Sequence, residues 1–272
     1  MDIRTALLQG TELLEKGGVG VPRLTAEVLL SHAVQRDRTW LFAHADDELT
    51  GVQQLHFGRY LHERLGGKPT QYITKKQEFY GREFRVTPAV LIPRPETEHV
   101  VEAALRRGAR RVFDVGCGSG AIAITLQLES GADVWGGDIS AAALAVAREN
   151  ARRLGARVEF LACDVLECVA EASVDLVVSN PPYVPLAESA HMQREVRDFE
   201  PHVALFAGES GLELYERIVA GAARVLRPGG WLVMELGFQS LEGVSRMLRG
   251  WRDVEVIPDL AGIPRVAAGR WG

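Results

Sequence analysis

Residues 112–121 read Val-Phe-Asp-Val-Gly-Cys-Gly-Ser-Gly-Ala and decide the fold. A short, mostly apolar run leads into three glycines at alternate positions, and an apolar stretch at helical spacing follows from Ala121. Glycines let the backbone turn sharply and pass close beneath a ligand, while the first turn of a helix leaves amide groups unpaired. The stretch therefore predicts a buried strand, a ligand-binding turn and a helix.

Strand and helix patterns alternate from this point to the end of the chain. The remaining strands are predicted at 134–138, 158–161, 176–179, 231–236, 254–257 and 265–268. Helices are predicted at 121–128, 141–154 and 212–226 and in a segment ending near Arg249, with a turn at Pro228–Gly230. This order predicts an α/β fold, a doubly wound, mostly parallel seven-stranded sheet with ligands at the carboxyl ends of its strands.

The chain before this sheet divides into two parts. Residues 1–75 carry apolar residues at helical spacing and equal numbers of basic and acidic residues, which predicts a small helical domain suited to protein contacts. Residues 76–272 are expected to form the second domain, which opens with a hairpin at 78–86. The proline-rich stretch 92–98 then predicts a rigid connector into a helix that begins near Glu96.

Composition narrows the functional class. The 272 residues are 47% hydrophobic with a net charge of −5, so no bias toward polyanions appears. Cys117, Cys163 and Cys168 lack a paired ligand spacing, which predicts reduced thiols and no metal site. Charged residues interrupt the first two dozen positions, so neither a secretory segment nor a membrane span is expected. We expect a cytoplasmic protein.

The glycine turn and three acidic residues outline a cofactor site. The turn alone fits either a nicotinamide dinucleotide or S-adenosylmethionine. Asp138 ends the second strand of the sheet, where a carboxylate can accept both hydroxyls of a ribose, and Asp164 follows the third, within reach of an adenine amino group. Asp114 can anchor the glycine loop or lie near a cationic group, but it would repel a pyrophosphate. This favours S-adenosylmethionine.

Asn180-Pro181-Pro182-Tyr183 follows the fourth strand of the sheet, at the same edge as the glycine turn. The prolines remove two backbone donors and leave carbonyl acceptors, and the Asn180 side chain adds another acceptor. A planar NH2 group needs two acceptors, which the Asn180 side chain and the Pro181 carbonyl can supply. Tyr183 is expected to pack on the flat face of the substrate group. The motif predicts methyl transfer to an amide or an exocyclic amine.

These motifs resemble class I methyltransferases with an Asn-Pro-Pro-Tyr motif, in particular the release-factor glutamine methyltransferases (HemK/PrmC). The likeness covers nearly the whole chain and rests on several segments: 77–81, 91–98 (Leu-Ile-Pro-Arg-Pro-Glu-Thr-Glu), the glycine loop, 180–183, 200–201, 204–205 and 259–262 before Arg265. Its Ile-Pro-Arg-Pro-Glu-Thr-Glu part, residues 92–98, is far more specific than the glycines.

The resemblance implies methylation of the glutamine in the Gly-Gly-Gln motif of class I peptide chain release factors, with S-adenosylmethionine as methyl donor. Carried over by position, the cofactor contacts are Gly116, Cys117, Gly118, Ser119, Gly120, Asp138, Asp164, Val165 and Asn180. Asn180 to Tyr183 are implied to hold the glutamine, with Asn180, Pro181 and Tyr183 taking part in the transfer. Some relatives place tryptophan where Val165 stands, so an aliphatic contact with the adenine is expected here.

Three other functions fit parts of this pattern. A methyltransferase acting on an exocyclic amine of adenine or guanine could use the same motif, but no basic patch with interleaved aromatic residues is evident, and stable nucleic-acid binding is not expected. A non-catalytic binding module would leave the combined glycine loop, Asp138 and Asn180 unexplained. A dehydrogenase is disfavoured by Asp114.

Overall fold

A computed structural model describes residues 1–272, which divide into two compact units. The first unit contains Met1–Lys76 together with Gln193–Phe199, and the second contains Gln77–Met192 with Glu200–Gly272. No helix in the chain is both long and apolar enough to cross a lipid bilayer.

The first unit is helical. Its helices are α1 (Ile3–Lys16), α2 (Pro22–Val34), α3 (Arg38–Ala43), α4 (Gly51–Leu65), α5 (Thr70–Thr74) and α9 (Arg194–Phe199). Polar side chains cap the amino ends of α1, α3 and α4. Asp2 accepts from the Thr5 amide at 2.6 Å, Asp37 accepts from the Trp40 amide, and Thr50 and Gln53 form a capping box on α4. Arg64 pairs with Glu195 at 2.6 Å, which links α4 to α9, a helix contributed by a later part of the chain.

The second unit begins with a hairpin of β1 (Lys76–Phe79) and β2 (Arg82–Arg85), as the sequence predicts. Its turn residues Tyr80 and Gly81 both have positive φ, which suits a tight two-residue connection. The expected helix near Glu96 starts as a 3₁₀ turn at Pro95–Thr97, in which the Thr97 amide donates to the Arg94 carbonyl three residues earlier at 3.1 Å, and becomes α6 (Glu98–Leu105). Pro95 suits this start because its φ is already fixed near the helical value.

A seven-stranded sheet forms the core of this unit, in the order β5-β4-β3-β6-β7-β9-β8. Its strands are β3 (Arg111–Val115), β4 (Asp133–Asp138), β5 (Val158–Ala162), β6 (Val174–Ser179), β7 (Leu226–Glu235), β8 (Arg252–Pro258) and β9 (Pro264–Arg270). β9 runs antiparallel to the direction shared by the other six strands. The predicted doubly wound, mostly parallel sheet is confirmed.

Helices pack on the sheet and form two separate apolar clusters with it. The remaining helices of this unit are α7 (Ala121–Ser130), α8 (Ala141–Leu154), α10 (Glu213–Val225) and α11 (Leu241–Met247). Side chains of α6, α7 and α8 belong to one cluster, and those of α10 and α11 to the other. Both helical layers hold the sheet rigid, so the loops at its carboxyl edge have fixed starting points.

One sequence expectation is refined by the structure and another is wrong. The predicted turn at Pro228–Gly230 forms a bulge inside β7, where Gly229 has φ of +81° and the pairing with β6 passes from Leu226 opposite Val174 to Trp231 opposite Leu176. The Gly229 amide donates to the Trp271 carbonyl at 2.7 Å and the Trp271 amide donates to the Gly230 carbonyl at 2.8 Å, which holds the bulge against the carboxyl-terminal residues. The three thiols are not all free: Cys163 and Cys168 form a disulfide across a short loop, with Cα atoms 5.7 Å apart, and only Cys117 is unpaired.

Candidate active site

A cavity of about 250 Å³ opens at the carboxyl edge of the sheet. It lies where the chain switches direction, since β4 flanks one side of β3 and β6 flanks the other. Its wall contains predicted site residues from four successive strand ends: Gly116, Gly118, Asp138, Asp164, Val165, Asn180, Pro181 and Pro182. The structure therefore brings together most of the residues that the sequence singles out.

The glycine loop shapes the cavity through its backbone. Gly116 and Gly118 have φ of +69° and +54°, and a Cβ at either position would meet no protein atom within 4 Å. Any other residue at these positions would have a strained backbone, and its side chain would extend into the cavity. The two glycines therefore leave this space free for a ligand. Gly120 serves packing instead, because a Cβ there would lie 2.8 Å from the Ile124 side chain.

The other loop residues lie off the cavity wall. The Cys117 side chain is buried in the apolar cluster beneath the sheet edge, and the Ser119 carbonyl accepts from Asn150 Nδ2 at 2.9 Å. With Gly120 they are absent from the lining. Their cofactor contacts stay a prediction, and any such contact would pass through the backbone rather than the side chains.

Asp114 anchors the helix after the glycine loop. Its Oδ2 accepts from the Ala123 amide at 3.1 Å, while its Oδ1 is buried without a partner. Burial raises the pKa of this carboxyl well above its usual range, and the nearby Asp138 charge raises it further. Because Asp114 does not line the cavity, the structure favours the anchoring role over a place beside a cationic ligand.

Asp138 ends β4 with its carboxylate held by local backbone amides. Its Oδ2 accepts from the Gly118 amide at 2.9 Å, and its Oδ1 accepts from the Ser140 amide at 2.8 Å. Ser140 in turn caps α8 through the Ala143 amide. Each carboxylate oxygen retains a second lone pair, so Asp138 can still accept from a ribose while it fixes the glycine loop.

Asp164 and Val165 lie on the wall after β5 in a constrained loop. Val165 has φ of +52°, a rare conformation for a β-branched residue, and the Cys163–Cys168 disulfide encloses it. Asp164 pairs with Arg217 at 2.8 Å, and Arg217 also lines the cavity. No local pattern in the sequence identifies Arg217, whose place at the site follows from the packing of α10.

The residues of the Asn180–Tyr183 segment do not all lie at the cavity. Asn180, Pro181 and Pro182 line the cavity, and no protein group donates to the Asn180 Oδ1. Tyr183 is partly buried away from the lining, and its ring packs so closely on Gly237 that a Cβ there would lie 2.6 Å from it. Burial raises the pKa of Tyr183 to about 12. Stacking of Tyr183 on a substrate stays a prediction.

The specific segment at 92–98 holds other parts of the site through its polar groups. The Ile92 amide and the Arg94 guanidinium donate to the buried Glu200, at 3.1 and 2.5 Å. The Glu98 Oε1 accepts from the Tyr80 amide at 2.8 Å and so fixes the hairpin. None of residues 92–98 lines the cavity.

Thr97 connects this segment to the cavity. Its hydroxyl donates to the buried Glu235 Oε2 at 2.5 Å and accepts from Asn180 Nδ2 at 3.0 Å. Sequence reasoning missed Glu235 altogether and recorded Thr97 only as part of a motif. The signal that could have identified Glu235 is an acidic residue at the end of an otherwise apolar strand.

Family models of known proteins match the helical part of the chain and part of the sheet-containing region. Residues 5–74 match the family model described as PrmC N-terminal domain, and residues 96–196 match the methyltransferase small domain. Among solved structures, a methyltransferase from Pyrococcus furiosus shares the fold with a TM-score of 0.55 and 19% identity, over 74% of this chain and 94% of that one. A Thermus thermophilus 16S rRNA methyltransferase, RsmC, gives a TM-score of 0.55 and 22% identity, over 72% and 50%.

Full-length relatives are more similar. The release factor glutamine methyltransferase of Koribacter versatilis is 45% identical over 276 residues, covering 99% of both chains. That of Bordetella pertussis is 45% identical over 258 residues, covering 92% of this chain and 95% of the relative. With this identity over nearly its entire length, the chain belongs to the release factor glutamine methyltransferase family.

Proposed function

We propose that this protein transfers a methyl group from S-adenosylmethionine to the side-chain amide nitrogen of a glutamine in peptide chain release factors. The observation that carries the proposal is the unpaired Oδ1 of Asn180 on the cavity wall, next to the carbonyl of Pro181. The family to which the chain belongs supports the same acceptor. We assign the glutamine to the Gly-Gly-Gln motif of class I release factors.

The cavity suits the proposed methyl donor. Gly116 and Gly118 leave open space where any side chain would intrude, and Asp138 presents carboxylate oxygens at the end of β4. The exposed side chain of Ile139 provides an apolar surface beside them for a flat ring. When bound, S-adenosylmethionine supplies a methyl group already activated by a sulfonium centre.

The protein's own task is alignment. An amide nitrogen is a poor nucleophile, because its lone pair is delocalised into the carbonyl group. Asn180 Oδ1 and the Pro181 carbonyl can each accept one amide hydrogen, which fixes the nitrogen and strengthens both bonds as positive charge develops on it. The apolar wall excludes water from the reacting atoms. No general base is needed before transfer, and the product nitrogen can lose its proton to water.

We further propose that the domain at residues 1–75 supplies part of the release-factor docking surface. Asn180 and Pro181 recognise only a few atoms of a planar amide, so selection of one glutamine requires remote contacts. Val52 and Leu55, one helical turn apart on α4, are 63% and 73% exposed, and Phe42 is also exposed. Residues 1–75 carry equal numbers of acidic and basic residues, so an apolar surface on this domain suits a protein partner better than a nucleic acid.

Paired substitutions on α4 test the docking surface. Val52→Ser with Leu55→Ser should raise KM for intact release factor about fivefold or more, as expected for loss of buried apolar contacts, with kcat and cofactor affinity unchanged. The control is Glu12→Ser with Lys16→Ser, a double serine substitution of two exposed α1 residues that pair with each other. It should leave KM unchanged. An unchanged KM in the α4 variant would remove this surface from docking.

Transfer of a labelled methyl group tests the proposed function itself. The purified protein is incubated with labelled S-adenosylmethionine and separately with release factor, the same release factor with its Gly-Gly-Gln glutamine replaced by alanine, tRNA, rRNA and DNA. Label should appear on the unaltered release factor alone. Label on nucleic acid would instead support an exocyclic-amine methyltransferase, which the same acceptors could serve.

Because the proposed substrate acts in translation, we place the enzyme in the cytoplasm.

A further inference from the structure

Glu235 is a buried carboxyl group at the end of β7 for which the methyl transfer described above has no use. It is 4% exposed, does not line the cavity, and is linked to Asn180 only through Thr97, which is equally buried. Burying a carboxylate costs free energy, so a buried carboxyl group that does not line the cavity needs another reason to be there. A role in orienting the groups that touch the substrate accounts for its position.

The direction of the two hydrogen bonds follows from their chemistry. An ionised carboxylate can only accept, and a threonine hydroxyl has a single hydrogen. With that hydrogen on Glu235 Oε2, Thr97 has only lone pairs left for Asn180. Asn180 must therefore turn its NH2 group toward Thr97, and its Oδ1 remains free at the cavity wall.

We propose that Thr97 and Glu235 are positioning residues that hold the Asn180 amide with its oxygen toward the methyl-accepting nitrogen. The inference rests on the proposed function, since it assigns that nitrogen to a planar NH2 group. In the flipped orientation, the Asn180 NH2 would face the NH2 of the substrate. Two donors cannot form a hydrogen bond, so the flipped amide would hold the substrate poorly.

Protonation of Glu235 would remove this constraint. A neutral Glu235 can donate to Thr97, which frees the Thr97 hydrogen to point at Asn180 and permits the flipped amide. Burial raises the pKa of Glu235 to about 7, with Glu96 raising it further and the Thr97 bond, Arg265 and Arg94 lowering it. The phenol of Tyr183 also lies close enough for its titration to sense the Glu235 charge. We expect turnover to fall as the pH drops below about 7.

A double-mutant cycle separates positioning from a general structural role. Thr97→Val removes the hydroxyl at constant shape and should lower kcat for release factor by about 10- to 100-fold, with cofactor affinity unchanged. This loss is smaller than the roughly 10²- to 10³-fold expected for removing a preorganised group that itself touches the substrate, because Asn180 is still present. Thr97→Ser keeps the hydroxyl and should stay within about threefold of wild type. Once Asn180 is replaced by alanine, Thr97→Val should cause no further loss. Thr125→Val, which deletes a buried hydroxyl without a partner, is the matched control.

Several results would overturn the proposal. One is full activity in Thr97→Val, and another is a loss that simply multiplies with that of Asn180→Ala. If Thr97→Val does not fold, Glu235→Gln gives the answer, because its turnover should lose the wild-type decline below about pH 7, and a retained decline would exclude Glu235. If the wild type labels nucleic acid and not release factor, the proposed substrate fails, and the same cycle measured on that acceptor still tests the positioning.

Discussion

The two ends of the cavity are fixed in different ways. At the glycine-loop end, the Asp138 carboxylate accepts from the Gly118 and Ser140 amides, which belong to the adjoining loop and to the next turn of its own segment. At the acceptor end, Asn180 is held by Thr97, 83 residues earlier in the chain, and Thr97 by Glu235, 138 residues later. One end is built from local backbone, the other from distant side chains.

The difference explains why the segment at 92–98 is the more specific motif. Backbone amides can be supplied by any sequence that makes the turn, so a glycine loop serves many cofactors and folds. The Arg94 and Thr97 side chains donate to Glu200 and Glu235, so each needs a particular acidic partner elsewhere in the chain. Side chains that never touch the cavity can therefore be more diagnostic of one reaction than those that line it.

The largest expected effect is at the acceptor end. Asn180→Ala removes the side-chain acceptor and should lower turnover by about two to three orders of magnitude, the usual scale for losing one preorganised polar contact. Cofactor binding should change little, because Asp138 and the glycine loop remain. Single-turnover methylation of release factor and calorimetric titration of the cofactor measure the two quantities. Near-normal turnover would remove Asn180 from the mechanism.

A somewhat smaller effect is expected at the glycine-loop end. Asp138→Ala should weaken cofactor binding by about 2–4 kcal/mol, because charge-assisted bonds to the ribose are lost and two backbone amides lose their acceptor. Asp138→Asn keeps one acceptor oxygen and should lie between wild type and alanine. The same calorimetric titration measures both variants. Equal affinity in all three proteins would mean that β4 does not end at the ribose.

The contrast between contacts near in the chain and contacts between distant residues also explains which features could be predicted from the sequence. The strand order, the glycine turn, Asp138 and the Asn180 segment follow from local patterns, because each strand end carries its own signal. Arg217 has no local signal, and the position of Glu235 at the end of an apolar strand does not reveal its partner, since the roles of both residues arise from pairs far apart in the chain. The bulge at Pro228–Gly230 is likewise held by Trp271, and the Cys163–Cys168 disulfide depends on how the loop around Val165 folds.

The smallest expected effect is on stability. It tests whether the buried Glu235 at the acceptor end lowers the free energy of unfolding. Burial raises the pKa of Glu235 to about 7 in the folded protein, against an ordinary value of 4.5. The native state therefore holds a proton that the unfolded chain releases between these values, so stability falls as the pH rises from about 4.5 to 7. Above pH 7 the ionised group opposes folding.

Glu235→Gln removes this charge and should make the protein more stable than wild type at pH 8, on the order of 1–3 kcal/mol, while activity falls. At pH 5 the two proteins should nearly coincide, because Glu235 is then neutral in the folded state. Denaturant unfolding at both pH values measures the difference, with Glu242→Gln, an exposed residue, as the control that should show none. A variant less stable than wild type at pH 8 would show that the ionised Glu235 stabilises the fold, and the acceptor end would then carry no such cost.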